Sequence, residues 1–127
     1  MKNNPIILIA GEPNSIFLEI FFKAIKNNKF KSPLILICCK KILTNSMKKS
    51  NFRKRLNILE LHRLKEYKLN NNSINLIDVE CKKLNKRFSL KLTNEYLTNS
   101  FDLALNLIKD KFSNKLINGP INKKTFL

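Results

Sequence analysis

Two short stretches of the chain combine residue types that can hold a ligand. The first is Gly11-Glu12-Pro13-Asn14-Ser15, placed directly after the apolar run Ile6 to Ala10 and directly before a helical pattern that begins at Ile16. The second is Asn118-Gly119-Pro120-Ile121-Asn122-Lys123, which also follows an apolar run. A strand, a tight polar turn and a helix with no spare residues set backbone N–H groups and turn side chains at the carboxyl edge of a sheet. Open α/β folds keep their ligand sites there. Lys123 is a point charge suited to a phosphate or carboxylate, and Asn118 and Asn122 offer amides beside it. Each residue also has a plainer role. Glu12 either faces a cleft or accepts backbone N–H bonds within its own turn. Asn14 and Ser15 suit a helix cap, and Lys123 belongs to a chain rich in solvated lysines. Gly11 and Gly119 are the only glycines in the sequence. Both follow predicted strands, so both answer a backbone requirement at one sheet edge.

The remaining reactive residue types give weaker signals. Cys38 and Cys39 are adjacent inside an apolar run, and Cys81 stands alone; neither arrangement matches zinc-finger spacing. Buried free thiols in a reducing compartment are the expectation. The single histidine, His62, reads as a surface or half-buried residue. No Gly-x-Gly-x-x-Gly follows the first strand, so nothing in the residues themselves marks a dinucleotide site.

The elements that must position these residues read as follows. Residues 6–10 and 34–39 are unbroken apolar runs, the mark of parallel strands buried on both faces. Between them a helix from Ile16 to Lys26 carries a stripe of Ile16, Phe17, Ile20, Phe21, Ala24 and Ile25. Strand, helix and strand in about 35 residues make a right-handed βαβ unit. A short helix is expected over 40–49 and a strand over 74–79. Residues 50–73 are ambiguous, with a short strand over 57–61 and a helix over 61–69 both open. Alternation at Phe88, Leu90 and Leu92 suggests an extended segment. A long helix is expected over 94–112, with Thr93 or Asn94 as cap and Phe101, Ala104, Leu105, Ile108 and Phe112 as its stripe. A strand over 115–118 follows, and a last helix opens at Asn122.

The sequence has 127 residues, enough for one domain or part of one, and a formal net charge of +16. Such a charge ordinarily points to nucleic acid or an anionic surface. Here Lys far outnumbers Arg, Asn is abundant, and the basic residues are scattered; the nearest cluster is Lys48-Lys49 with Arg53-Lys54-Arg55. That profile fits an AT-rich coding bias and a solvated surface, and it argues against nucleic acid as the partner. No apolar run reaches transmembrane length, and the N-terminal run is too short for a signal peptide, so a cytoplasmic location without membrane contact is expected.

The two turns together resemble the 4-hydroxythreonine-4-phosphate dehydrogenase family of vitamin B6 biosynthesis. Its members open with a strand and Gly-Asp-Pro-Ala-Gly-Ile-Gly-Pro-Glu; here the segment reads Gly11-Glu12-Pro13-Asn14-Ser15-Ile16-Phe17-Leu18-Glu19. They later carry Thr-Gly-Pro-Ile-Asn-Lys, which here is Asn118-Gly119-Pro120-Ile121-Asn122-Lys123. The resemblance implies a three-layer α/β/α fold with a mostly parallel sheet, similar to isocitrate and isopropylmalate dehydrogenases. It makes residues 1–127 the N-terminal α/β portion of a larger two-domain homodimeric enzyme. It also implies NAD-dependent oxidation and decarboxylation of 4-phosphohydroxy-threonine, a phosphorylated hydroxy-amino acid, with a divalent metal (Zn, Mg or Co) in the cleft. The family's metal-ligating histidines would lie beyond Leu127, and His62 matches none of them. No catalytic or metal residue is then expected within the chain, which on its own should be inactive. Gly11, Glu12, Asn14, Asn118, Gly119, Asn122 and Lys123 would line the substrate or cofactor cleft. The chain stops as its last helix begins, which reads as a truncated gene, a fragment or a remnant. Two other readings compete: a non-catalytic interaction piece of the same fold, and a basic α/β module binding nucleic acid.

Overall fold

The computed structural model describes residues 4–82 and 90–121. In chain order its elements are β1 (Ile6–Ile9), α1 (Phe17–Asn27), β2 (Leu34–Cys38), α2 (Lys40–Lys49) and β3 (Leu56–Ile58). A short 3₁₀ segment (Leu61–Glu66), β4 (Ile74–Asp78), α3 (Leu90–Lys109) and β5 (Lys115–Asn118) follow. The five strands form one sheet in the order β3-β4-β2-β1-β5, and every pairing is parallel.

Parallel strands covered on both faces need apolar residues on both. Accordingly Ile7, Ile9, Ile35, Leu36, Ile37, Leu76 and Ile77 are all buried. The helices divide between the faces by the right-handed crossover rule. From β1 to β2 the chain steps one way along the sheet through α1, and from β4 to β5 it steps back through α3, so the two helices cover opposite sides. The contacts agree: α1 packs beside α2, while α3 lies over β1, β2 and β5. Fold class and layer order are therefore those expected, with an all-parallel sheet.

The C-terminal ends of α2 and α3 are closed by the same device. Phe52 N–H bonds to Met47 C=O and Asn51 N–H to Lys48 C=O at the end of α2; Phe112 and Lys111 repeat the pattern onto Leu107 and Ile108 after α3. This is the paired 6→1 and 5→2 bonding of a Schellman end, whose turning residue takes positive φ. Asn51 (φ 50) and Lys111 (φ 62) occupy that position. The ring of Phe52 then stacks on Phe22 of α1, with centroids 4.7 Å apart.

Several expectations are corrected. The core stripe of α1 is Leu18, Phe21 and Phe22, whereas Ile16 and Ile20 are 63% and 55% exposed. The helix has more apolar residues than the sheet can cover, so periodicity alone misplaces the stripe. Leu90 to Thr93 are not extended but form the first turn of α3. Thr93 and Asn94 therefore lie inside that helix instead of capping it. Its buried stripe is Thr93, Tyr96, Leu97, Ser100, Ala104 and Leu107, and Leu105 is 54% exposed. Small and polar residues take inward positions here because α3 crosses close to the sheet. The ambiguous stretch resolves into β3 and the 3₁₀ segment. Phe88, Ser89 and the helix expected from Asn122 lie outside the described residues.

A polar network that the sequence did not announce ties the amino-terminal edge of the sheet. Asn71 Oδ1 accepts the Leu34 N–H at 2.8 Å and its Nδ2 donates to Ser32 and Phe30 carbonyls. Asn75, buried at 2% exposure, donates to the carbonyls of Leu34 and Asn70 and accepts from Asn57 Nδ2. A buried amide is tolerated because its hydrogen-bonding groups are engaged in this way.

Candidate functional site

The two glycine turns meet at the carboxyl edge of β1 and β5. The β1 strand has β2 on one side and β5 on the other. The chain leaves β1 toward β2 and reaches β5 by the opposite crossover, so this is a switch point of the sheet, where a crevice opens in α/β folds. The Gly119 N–H donates to the Ile9 carbonyl at 2.7 Å, and the Glu12 N–H donates to the Pro120 carbonyl at 2.8 Å. The ladder thus continues past the end of both strands and binds one turn to the other.

That approach leaves no room for side chains at either glycine. A Cβ on Gly11 would stand 2.6 Å from the Pro120 carbonyl oxygen, and Gly11 has φ of +80°. A Cβ on Gly119 would press on the Ala10 carbonyl oxygen and come 3.0 Å from the Phe17 ring. The two glycines are interlocked, each clearing space for the other's backbone, which is the close-approach role expected of them.

The side chains around them divide. Glu12 opens a turn in which the Ser15 N–H donates to the Glu12 carbonyl at 3.1 Å, with Pro13 at the second position. Glu12 is half-buried, and Asn14 is exposed. The Ser15 hydroxyl, not Asn14, accepts the Phe17 N–H, at 3.4 Å. Asn118 Nδ2 donates to the Gly119 carbonyl at 3.0 Å, so this amide braces the turn. Asn122 and Lys123 lie outside the described residues. His62 is exposed on the 3₁₀ segment, 3.4 Å from Glu60, on the part of the chain next to the opposite end of the sheet order.

The same carboxyl edge carries a second cluster, between β2 and β4. Asp78 Oδ1 accepts the Lys40 N–H at 2.8 Å, so a β4 carboxylate caps α2 across the strand boundary and complements its dipole. The Tyr96 hydroxyl accepts the Cys39 N–H at 3.1 Å. Burial raises the pKa of Cys38 to about 12 and also pushes the Tyr96 phenol up. Cys38 is therefore a packed, protonated thiol and not a nucleophile. Asp78, Glu80, Cys81, Lys40 and Lys82 border a cleft of about 640 Å³ here. Another, of about 670 Å³, opens at the opposite edge beside Lys26, Lys29, Lys54 and Asn71. Only the strand ends in the sequence hinted at the Asp78 cap; the pairing of β2 with β4 creates it.

Among the described residues no three His, Cys, Asp or Glu side chains stand together as a metal site. The donor set at the β1–β5 edge, one carboxylate with amides and backbone, does not fit a divalent metal.

Several solved structures share this architecture. The 4-hydroxythreonine-4-phosphate dehydrogenase from Klebsiella pneumoniae superposes with a TM-score of 0.80 at 18% identity, over 97% of this chain and 39% of its own. The enzyme of the same name from Burkholderia phymatum gives 0.77 at 15% identity, over 96% of this chain and 38% of its own. The chain has the fold of part of these dehydrogenases. It spans well under half the length of either. No protein-family model matches the sequence, and no curated protein matches it. No helix among the described residues is long and apolar enough to cross a membrane.

Proposed function

We propose that this chain is the N-terminal α/β portion of an NAD-linked, metal-requiring dehydrogenase of the 4-hydroxythreonine-4-phosphate type, with its β1–β5 edge forming one wall of the substrate cleft. A single observation carries the reading. The two turns that resemble the family's motifs, 108 positions apart from Gly11 to Gly119 in sequence, interlock at the switch point of a sheet with that enzyme's architecture.

In this reading the glycines and the bonds Glu12 N–H to Pro120 and Gly119 N–H to Ile9 set the shape of the wall. Asn14, exposed at the turn, presents its amide to the substrate, Asn118 braces the turn beside it, and Glu12 faces the cleft from the turn. Lys123 supplies positive charge toward a phosphate or carboxylate. The metal and NAD would be held by a second domain; when bound they supply hydride acceptance and polarisation of the oxidised carbon's oxygen. The isolated chain should then bind substrate weakly and turn over none, and the working enzyme would be a cytoplasmic homodimer.

The test is titration of the chain with 4-phosphohydroxy-threonine, followed by amide NMR. With only two glycines in the sequence, their resonances are simple to assign. Shifts confined to Gly11, Glu12, Asn118 and Gly119 are expected. Shifts at Lys26, Lys54 and Asn71 instead would move the site to the opposite edge and end this reading.

A further inference from the structure

The fold sorts the charge of the chain between the two edges of its sheet. In a parallel sheet the chain leaves each strand at the carboxyl edge and must return to the amino edge before the next strand begins. Residues 27–33, 50–55 and 67–73 are three of these returns. They carry Lys29, Lys31, Arg53, Lys54, Arg55 and Lys68 and no acidic residue. At the other edge Glu12, Glu60, Asp78 and Glu80 stand at or just after strand ends, among Lys40, Lys41 and Lys82. Lysines and arginines scattered along the sequence are thus gathered on the amino side of the molecule.

A cleft of about 670 Å³ opens on that side. Phe21, Ile25, Phe30 and Leu34 give it apolar walls, and Lys26, Lys29 and Lys54 give it charge. Among the described residues no carboxylate lines it. The salt bridges of the described residues lie elsewhere, on and beside the 3₁₀ segment, where Glu60 and Glu66 meet His62 and Arg63. Low-dielectric walls focus such uncompensated charge into a cleft. The negative end of the α1 dipole also points here, but the Ala24 carbonyl is taken by both the backbone N–H and the side-chain amide of Asn28.

The walls are fixed before any ligand arrives. Asn71 donates to the Phe30 and Ser32 carbonyls and accepts the Leu34 N–H, which ties residues 30–34 to the start of β4. Asn75 donates to the Leu34 and Asn70 carbonyls beneath them. Phe30 is 41% exposed in this tethered loop. A wall already held in place lowers the ordering cost of binding.

We propose that this cleft binds a nucleoside polyphosphate, with the phosphates among Lys26, Lys29 and Lys54 and the base against Phe30. Lysine is a point-charge partner for phosphate, and an exposed aromatic ring offers a base a surface to stack on. The volume lies within the range of small-molecule sites, about 300–1,000 Å³, which favours one nucleotide over a nucleic-acid strand. The cleft is at the opposite edge from the β1–β5 turns and stands independently of the reading given to them.

The experiment titrates the 127-residue chain with ATP, without added metal, at about 0.15 M ionic strength, and follows affinity and amide shifts. Shifts are expected at Phe30, Asn72 and Ser73, with Gly11 and Gly119 unmoved. Inorganic tripolyphosphate should bind roughly tenfold more weakly, because it has no base to stack. Lys26→Gln with Lys29→Gln, both at exposed positions, should weaken ATP binding roughly tenfold or more. The same charge removed elsewhere, in Lys40→Gln with Lys91→Gln, should leave it within about twofold. Phe30→Leu should lower ATP to the affinity of tripolyphosphate and leave tripolyphosphate unchanged. Equal losses from the two double variants would mean attraction to the net charge of +16 alone and would overturn the site. Tripolyphosphate binding as tightly as ATP, or shifts at Gly11 and Gly119 in place of Phe30, would overturn it too. So would an absence of ATP binding, or a single-stranded DNA of about ten nucleotides that binds there while ATP does not. ATP shifts at Phe30 leave the β1–β5 reading untouched, and a failure of 4-phosphohydroxy-threonine to move Gly11 leaves this cleft untouched, so the two sites fail separately.

Discussion

At Gly11 and Gly119 a single added methyl group meets backbone, not a movable side chain. Gly11→Ala adds positive-φ strain of about 1–2 kcal/mol to a 2.6 Å approach to the Pro120 oxygen. A total loss of about 3 kcal/mol is expected in urea unfolding. Asn14→Ala, at an exposed position that makes no cap, should change stability by less than about 0.5 kcal/mol. The contrast between the two variants separates the backbone requirement from simple sensitivity of the turn. Cys38 yields a second prediction. Its pKa is raised from 9.0 to about 12 in the folded chain, so the folded state holds a proton that the unfolded state releases. The associated stability is fully present below pH 9 and is lost as pH rises toward 12. Cys38→Ser should flatten that part of the alkaline slope in a pH series of chemical unfolding; Tyr96, shifted in the same direction, accounts for slope that remains.

The elements owe their limits to local chemistry that can be altered one residue at a time. Lys111 occupies a left-handed turn position after α3 with φ of 62°, where glycine carries no Cβ penalty. Lys111→Gly should raise stability by about 0.5–1 kcal/mol, net of the added freedom of the unfolded chain. Asn51→Gly, at the equivalent place after α2, should give less, because Asn already tolerates that region. Tyr96→Phe removes the acceptor for the buried Cys39 N–H and should cost about 1–3 kcal/mol. Thermal unfolding of the three variants against the parent orders these effects. Their positions were only partly legible. The end of α2 at Lys49 is where it was expected, but of the stripe expected for α3 only Ala104 is fully buried. Ser100 bonds back to the Tyr96 carbonyl at 2.8 Å and so enters the core as a satisfied polar residue that hydrophobic periodicity passes over.

For the molecule as a whole, the sheet is the device that converts distant turns into one edge. The β4–α3–β5 crossover carries Lys115–Asn118 back across the sheet to lie beside β1, and the register of Ile9 with Asn118 sets Gly119 against Ala10. A one-residue slip in that register would separate the glycines and reverse the faces of Leu116 and Ile117. Binding and unfolding should therefore be coupled: substrate that touches both turns should raise the midpoint of the free chain in proportion to occupancy. A calorimetric scan with and without 4-phosphohydroxy-threonine measures this, and no shift at saturating ligand would count against a site spanning both turns.

The sequence by itself determined the buried parallel strands, the first helix and the two glycine turns. Unbroken apolar runs and a Gly-Pro-rich break act over a few residues, and their cost is settled locally. It also carried enough of two motifs for the dehydrogenase resemblance to be stated before any coordinates. Tertiary structure alone decided which apolar residues of α1 and α3 face inward, because both helices carry more hydrophobic surface than one sheet face can cover. It decided that Ser15 and not Asn14 accepts the Phe17 N–H, that Asp78 caps a helix from a neighbouring strand, and that Asn57, Asn71 and Asn75 form a single network. The Asp78 cap and the asparagine network join residues far apart in the chain, and only the strand order and register bring such groups within hydrogen-bond reach.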